Sequence, residues 1–126
     1  MSQPKQYILV IDDEPSVREV TAEILREAAV HTLEASDGPT GIEIFRNYVD
    51  QIVLVLLDYY MPDMNGIQVL EKLWHIDPSV PVLLFSGYSQ HSIMRYCERD
   101  NAIGFLQKPY TINELLLAVH QNLKRV

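Results

Sequence analysis

Three carboxylates, a hydroxyl and an ammonium stand at the ends of short apolar runs. Asp58 closes the run Ile52-Val53-Leu54-Val55-Leu56-Leu57, and the pair Asp12-Asp13 closes Tyr7-Ile8-Leu9-Val10-Ile11. Val82-Leu83-Leu84-Phe85 ends in Ser86, and Ile103-Gly104-Phe105-Leu106-Gln107 ends in Lys108-Pro109. Runs this short and this apolar on both faces read as buried parallel strands, and open α/β sheets place their chemistry outside the carboxyl ends of such strands. The acids would then share one crevice with the hydroxyl and the amine. At a separation of about 5 Å and an effective dielectric of about 20, each pair of carboxylates there repels by roughly 3 kcal/mol. Such a crevice must bind a cation or hold protons.

Alternating strands and helical patterns position these groups, the signature of βαβ units and a parallel sheet. Strand one spans about 6–11, and the first helix begins near Pro15, a favourable first-turn residue, with Val17, Val20, Ile24 and Ala28 on one face. A second strand near 30–35 leads through the turn Asp37-Gly38-Pro39 into a helix with Ile42, Phe45 and Val49 inward. After strand three, 52–57, a helix follows Asn65-Gly66, carries Ile67, Leu70, Leu73 and Trp74, and stops before Asp77-Pro78. Strand four is about 81–85 and strand five about 102–107. Between them a fourth helical stretch, about 90–99, has only Ile93, Met94 and Cys97 as apolar contacts, which makes it the least anchored helix. The last helix opens with the capping box Thr111-Ile112-Asn113-Glu114 and carries Ile112, Leu115, Leu116, Val119 and Leu123 as its apolar stripe. The pattern gives an α/β class with five units in one domain, 1–126, after a short tail at 1–5.

Composition sets limits on partners. Ten basic against seventeen acidic residues, a net charge of −7, argue against direct nucleic-acid binding or an anionic membrane surface as the work of this domain, and point to protein partners. A single cysteine, Cys97, excludes an internal disulfide. The start Met1-Ser2-Gln3-Pro4-Lys5 has no apolar signal segment and no run approaches a membrane span, so the expected location is cytoplasmic. His31, His75, His91 and His120 show no metal-ligand spacing, and Asp37 and Asp63 read as turn residues.

Taken together, Ile11-Asp12-Asp13-Glu14-Pro15, Leu57-Asp58-Tyr59-Tyr60-Met61-Pro62-Asp63-Met64-Asn65-Gly66, Phe85-Ser86-Gly87 and Lys108-Pro109 resemble the receiver domains of two-component response regulators in order and spacing. The resemblance covers nearly the whole chain. It implies a flavodoxin-like, doubly wound, five-stranded parallel sheet in the order 2-1-3-4-5 with five helices. It implies Asp58 as the acceptor of a phosphoryl group, giving an aspartyl phosphate. Mg²⁺ would be held by Asp12, Asp13, Asp58 and the main-chain carbonyl of Tyr60. Lys108 and Ser86 would stabilise charge on the phosphoryl group, and Ser86 with Phe105 would form the switch pair.

The implied donor is a sensor histidine kinase or a phosphotransfer protein. The implied output passes through the face of the fourth helical stretch, strand five and the last helix to a downstream protein or output domain, with room for a homodimer. Gly87 keeps access to the phosphate open. Tyr60 and Tyr88, bulkier than usual for the family, are expected to lean over the phosphoryl group and slow its hydrolysis. Beyond its own phosphorylation and slow dephosphorylation, no enzymatic turnover is implied.

Two other readings share parts of this inventory. A haloacid-dehalogenase-like phosphatase also uses a strand-end Asp, Mg²⁺, a hydroxyl and a Lys, but needs a second Asp where this chain has Tyr60. A phosphorylation-independent interaction module would keep the fold and lose the acceptor chemistry.

Overall fold

The computed structural model describes residues 5–87 and 103–123. Five strands form a single parallel sheet: β1 (Tyr7–Ile11), β2 (His31–Ala35), β3 (Ile52–Asp58), β4 (Val82–Ser86) and β5 (Ile103–Gln107), in the order β2-β1-β3-β4-β5. Among the described residues four helices accompany it: α1 (Pro15–Glu27), α2 (Gly38–Asn47), α3 (Gly66–Ile76) and α4 (Ile112–Asn122). This is the flavodoxin-like arrangement that the receiver resemblance implies. The predicted helix at about 90–99, with Ile93, Met94 and Cys97, lies outside the described residues, as do His91 and Tyr88.

Alternation along the strands divides the core into two layers. Leu9 and Ile11 of β1, with Val55 and Leu57 of β3, face α2 and α3, where Phe45, Leu70 and Leu73 are fully buried. Ile8 and Val10, with Leu54 and Leu56, face α1 and α4 through Leu25, Leu115 and Val119. Being apolar on both faces, β1 and β3 can only be central strands, and they are. No helix of the described residues is long and apolar enough to cross a membrane.

The ends of the elements aim the chain at the crevice. Asn65 caps α3, accepting from the Gln68 N–H at 2.9 Å while Gln68 Oε1 accepts the Asn65 N–H at 2.9 Å. Gly66, the first residue of α3, sits so close that a Cβ there would lie 2.8 Å from Tyr59 Cα and 3.2 Å from the Asp58 carbonyl oxygen. Only glycine lets α3 start against the segment that leaves β3. The capping box read at Thr111 and Glu114 forms as expected, with both reciprocal hydrogen bonds present.

Two inward faces differ from expectation. In α1 the buried residues are Thr21, Ala22 and Leu25, whereas Val20 is 56% exposed and Ala28 is exposed. The helix turns its small residues to the sheet because they allow close approach, and the branched stripe Val17, Val20, Ile24 lines a shallow groove with Tyr110 and Ile112. Ile112 is accordingly exposed, and α4 is held by Leu115 and Val119.

Candidate functional site

Parallel pairing carries the five groups to one edge. Ile11 lies beside Leu57 and Asp58 beside Phe85, so the residues that follow β1 and the last residue of β3 emerge together. Ser86 lies beside Gln107, and the Lys108 N–H donates to the Ser86 carbonyl at 2.7 Å, which sets the start of the lysine side chain at the end of β4. The Lys108–Pro109 peptide is cis.

One carboxylate oxygen each from Asp12, Asp13 and Asp58 lies within 4.8 Å of the other two. Asp12 and Asp58 are buried, at 1% and 3% exposure, and Asp13 is half-buried. Lys108 Nζ stands 3.4 Å from Asp58 Oδ1. Asp12 Oδ1 accepts the Glu14 N–H at 2.9 Å, while Asp12 Oδ2 is buried without a hydrogen-bond partner among the described residues. Arg18 steadies the end of β1 from the side, donating through Nη1 to the Asp12 carbonyl at 2.8 Å with its Nε 3.5 Å from Glu34.

Among the described residues, three acids answered by one ammonium leave the crevice short of positive charge. Burial, reinforced by the charge of Asp12, pushes the Asp58 carboxyl up to about 6, against the opposing pull of Lys108 and of a hydrogen bond from the Tyr60 main-chain N–H. Burial also raises Asp12, although the Glu14 N–H and Lys108 oppose it. A buried carboxylate oxygen without a donor, beside two further carboxylates, is a fit for a hard divalent cation that takes oxygen ligands and keeps part of its water shell.

The structure thus brings together Asp12, Asp13, Asp58 and Lys108, with Ser86 buried at the end of β4. Phe105 is half-buried on β5 and packs against the core layer that contains Leu84. The Tyr60 side chain is 69% exposed, so what this residue turns to Asp58 is its main chain. Among the described residues, a Cβ at Gly87 would meet nothing within 4 Å, consistent with an open approach beside Ser86. Sequence reasoning passed over Arg18, which carries no motif signal. Gly66 and Phe85 lie in the motifs quoted above but without a role of their own, Gly66 reading as part of a helix start and Phe85 as one more apolar strand residue.

Residues 8–120 match the response regulator receiver domain, and the chain belongs to that family. Membership makes it a phosphoacceptor rather than an enzyme with a separate substrate. Sporulation initiation phosphotransferase F of Bacillus subtilis is 28% identical over 118 residues, covering 94% of each chain. The sensor kinase CckA of Brucella abortus is also 28% identical over 118 residues, but the chain spans only 12% of that protein's length. Among solved structures, the receiver domain of a hybrid histidine kinase CckA superposes with a TM-score of 0.80 at 32% identity, covering 94% of this chain and 99% of the other.

Proposed function

We propose that Asp58 accepts a phosphoryl group in a Mg²⁺-dependent reaction with a histidine kinase or phosphotransfer protein as donor, and that the product switches a partner-binding surface. The observation that carries this is the convergence of three carboxylates within 4.8 Å of one another, with Lys108 Nζ 3.4 Å from one of them, at the carboxyl edge of a parallel sheet. With its carboxyl at about 6, Asp58 is mostly ionised at neutral pH and is available as a nucleophile.

Asp58 Oδ attacks phosphorus, a new O–P bond forms, and the bond from phosphorus to the donor's imidazole nitrogen breaks with its electron pair leaving on the imidazole. Lys108, already beside Asp58, shifts its ammonium onto a phosphoryl oxygen, and the Ser86 hydroxyl donates to another. Asp12, Asp13, Asp58 and the Tyr60 carbonyl would hold Mg²⁺, which when bound neutralises the charge gathered by the acids and the phosphoryl oxygens.

Phosphorylation adds about −1.5 to −2 charges to this crevice, so new bonds to Ser86 and Lys108 have the leverage to shift a two-state element. Phe105, on the strand that leads directly to Lys108, is the side chain we assign to register that shift. Because the relatives include both a kinase-borne domain and a chain of similar length, the output is assigned only as a protein surface.

The test is mass spectrometry after treatment with a small phosphodonor and Mg²⁺. Covalent phosphate should map to Asp58 and disappear in Asp58→Asn with the fold intact. Undiminished labelling of that variant would refute the assignment.

A further inference from the structure

We infer that Phe85 is a positioning residue for phosphoryl transfer: the face of its ring holds the ammonium of Lys108 toward Asp58. This rests on the role proposed above for Lys108. The lysine emerges from a loop at the end of β5 and keeps a half-buried side chain, so its own backbone does little to fix the position of a four-carbon stem. Two groups do so. Asp58 Oδ1 lies 3.4 Å from Nζ, a long contact, and the Phe85 ring centroid lies 5.3 Å from Nζ, within the range of a cation–π attraction.

The ring is itself immobilised. Phe85 is fully buried, is paired in register with Asp58, and meets the Tyr110 ring edge-on at a centroid separation of 6.2 Å and an interplanar angle of 71°. Tyr110 lies in turn beside the buried Thr21 of α1, in the groove between α1 and α4. A benzene face in this place suits a lysine that must change partners. Its quadrupole attracts the cation without donating or accepting a hydrogen bond, so it keeps the ammonium near the crevice while leaving the N–H donors free for phosphoryl oxygens. An aliphatic residue of similar size would fill the core and lose that attraction.

Site-specific replacement of Phe85 by mono-, di- and trifluorophenylalanine weakens the ring's negative face in steps with little change of shape. The rate of Asp58 labelling by a small phosphodonor and Mg²⁺, followed by mass spectrometry, should fall in the same steps, reaching about three- to ten-fold for trifluorophenylalanine. Phe85→Leu should fall at least as far while its thermal midpoint stays near the parent's. In a Lys108→Ala background the fluorine series should be flat.

Parent rates throughout the series, or an equal decline with and without Lys108, would overturn the proposal and return Phe85 to plain packing. A Lys108→Ala chain that labels at the parent rate would overturn it together with the role of Lys108. Labelling that never appears at Asp58 would instead break the proposed function itself.

Discussion

At the start of α2, Asp37 accepts the Thr40 N–H at 2.7 Å, and that hydrogen bond holds its carboxyl below the usual carboxylate range. At the end of β3, Asp58 is buried beside Asp12 and its carboxyl is pushed up to about 6. Asp58 closes an apolar strand and Asp37 follows the more polar edge strand β2, and both stand one step before or within a turn. What separates them is company. Asp37 answers the orphan donors of a helix end, so its charge stabilises the fold. Asp58 stands among other acids with one ammonium 3.4 Å away, so its charge opposes the fold until a cation or a phosphoryl group with its metal arrives. A carboxylate that costs stability in a site able to bind something is the better functional candidate of the two.

The largest test of this contrast is Asp58→Asn in metal-free protein. The folded carboxyl is raised to about 6 against an unfolded value near 3.9, so between about pH 4 and pH 6 the folded state keeps a proton that the unfolded state has released. Stability attributable to this group therefore falls as pH rises through that window and stays low above it. Asp58→Asn should gain on the order of 2–3 kcal/mol at pH 7 to 8, with the gain shrinking toward pH 4. Denaturant titrations at the two ends of the range decide it. Equal gains at pH 4 and pH 8 would show that charge is not the cause.

Next in size is the cation. Mg²⁺ that binds the folded state alone should stabilise it by about 1.4 kcal/mol at ten times its Kd. Thermal shifts should show this for the parent and lose it in Asp13→Ala, which removes the half-buried member of the acid trio. A shift that survives the substitution would place the ion elsewhere.

Asp37→Ala should cost about 1 kcal/mol at pH 7 as a lost cap. Its pH dependence has the opposite sign, because a depressed carboxyl contributes above the unfolded pKa and the contribution is lost as pH falls through the folded one. The deficit of this variant against its parent should therefore be smaller in unfolding curves at pH 3 than at pH 7. If the deficit were instead the same at both, Asp37 would be acting by shape alone.

What was legible in the sequence follows the same division. Strand ends could be read because apolar runs stop at charged or hydroxyl residues, and the sheet order followed once those ends resembled a known set. Capping could be read at Thr111 because the box is local, spanning four residues. The inward face of α1 could not. Thr21 and Ala22 are buried because the helix lies close to the sheet, a property of the packed pair that no count of apolar side chains reveals. Phe85 escaped for a related reason: its ring faces a lysine 23 positions away in sequence, and only the β4–β5 pairing brings the two together.

The smallest effect is a control free of charge. α1 ends in a Schellman motif, with the Val30 N–H donating to the Leu25 carbonyl at 2.9 Å and the Ala29 N–H to the Arg26 carbonyl at 2.9 Å. That geometry places Ala29 in the left-handed region, φ 63°, where a Cβ meets the following carbonyl. Glycine removes the clash, at the cost of a more flexible unfolded chain. The balance favours Ala29→Gly by somewhat under 1 kcal/mol. Since no titratable group takes part, the gain should be the same at pH 4 and pH 8, with and without Mg²⁺. Denaturant midpoints measured beside those of Asp58→Asn would then separate a backbone effect, flat in pH, from an electrostatic one that is not. A pH-dependent gain at Ala29 would mean that the ends of α1 and the crevice are coupled through the helix, and the contrast between Asp37 and Asp58 could no longer be assigned to their immediate partners alone.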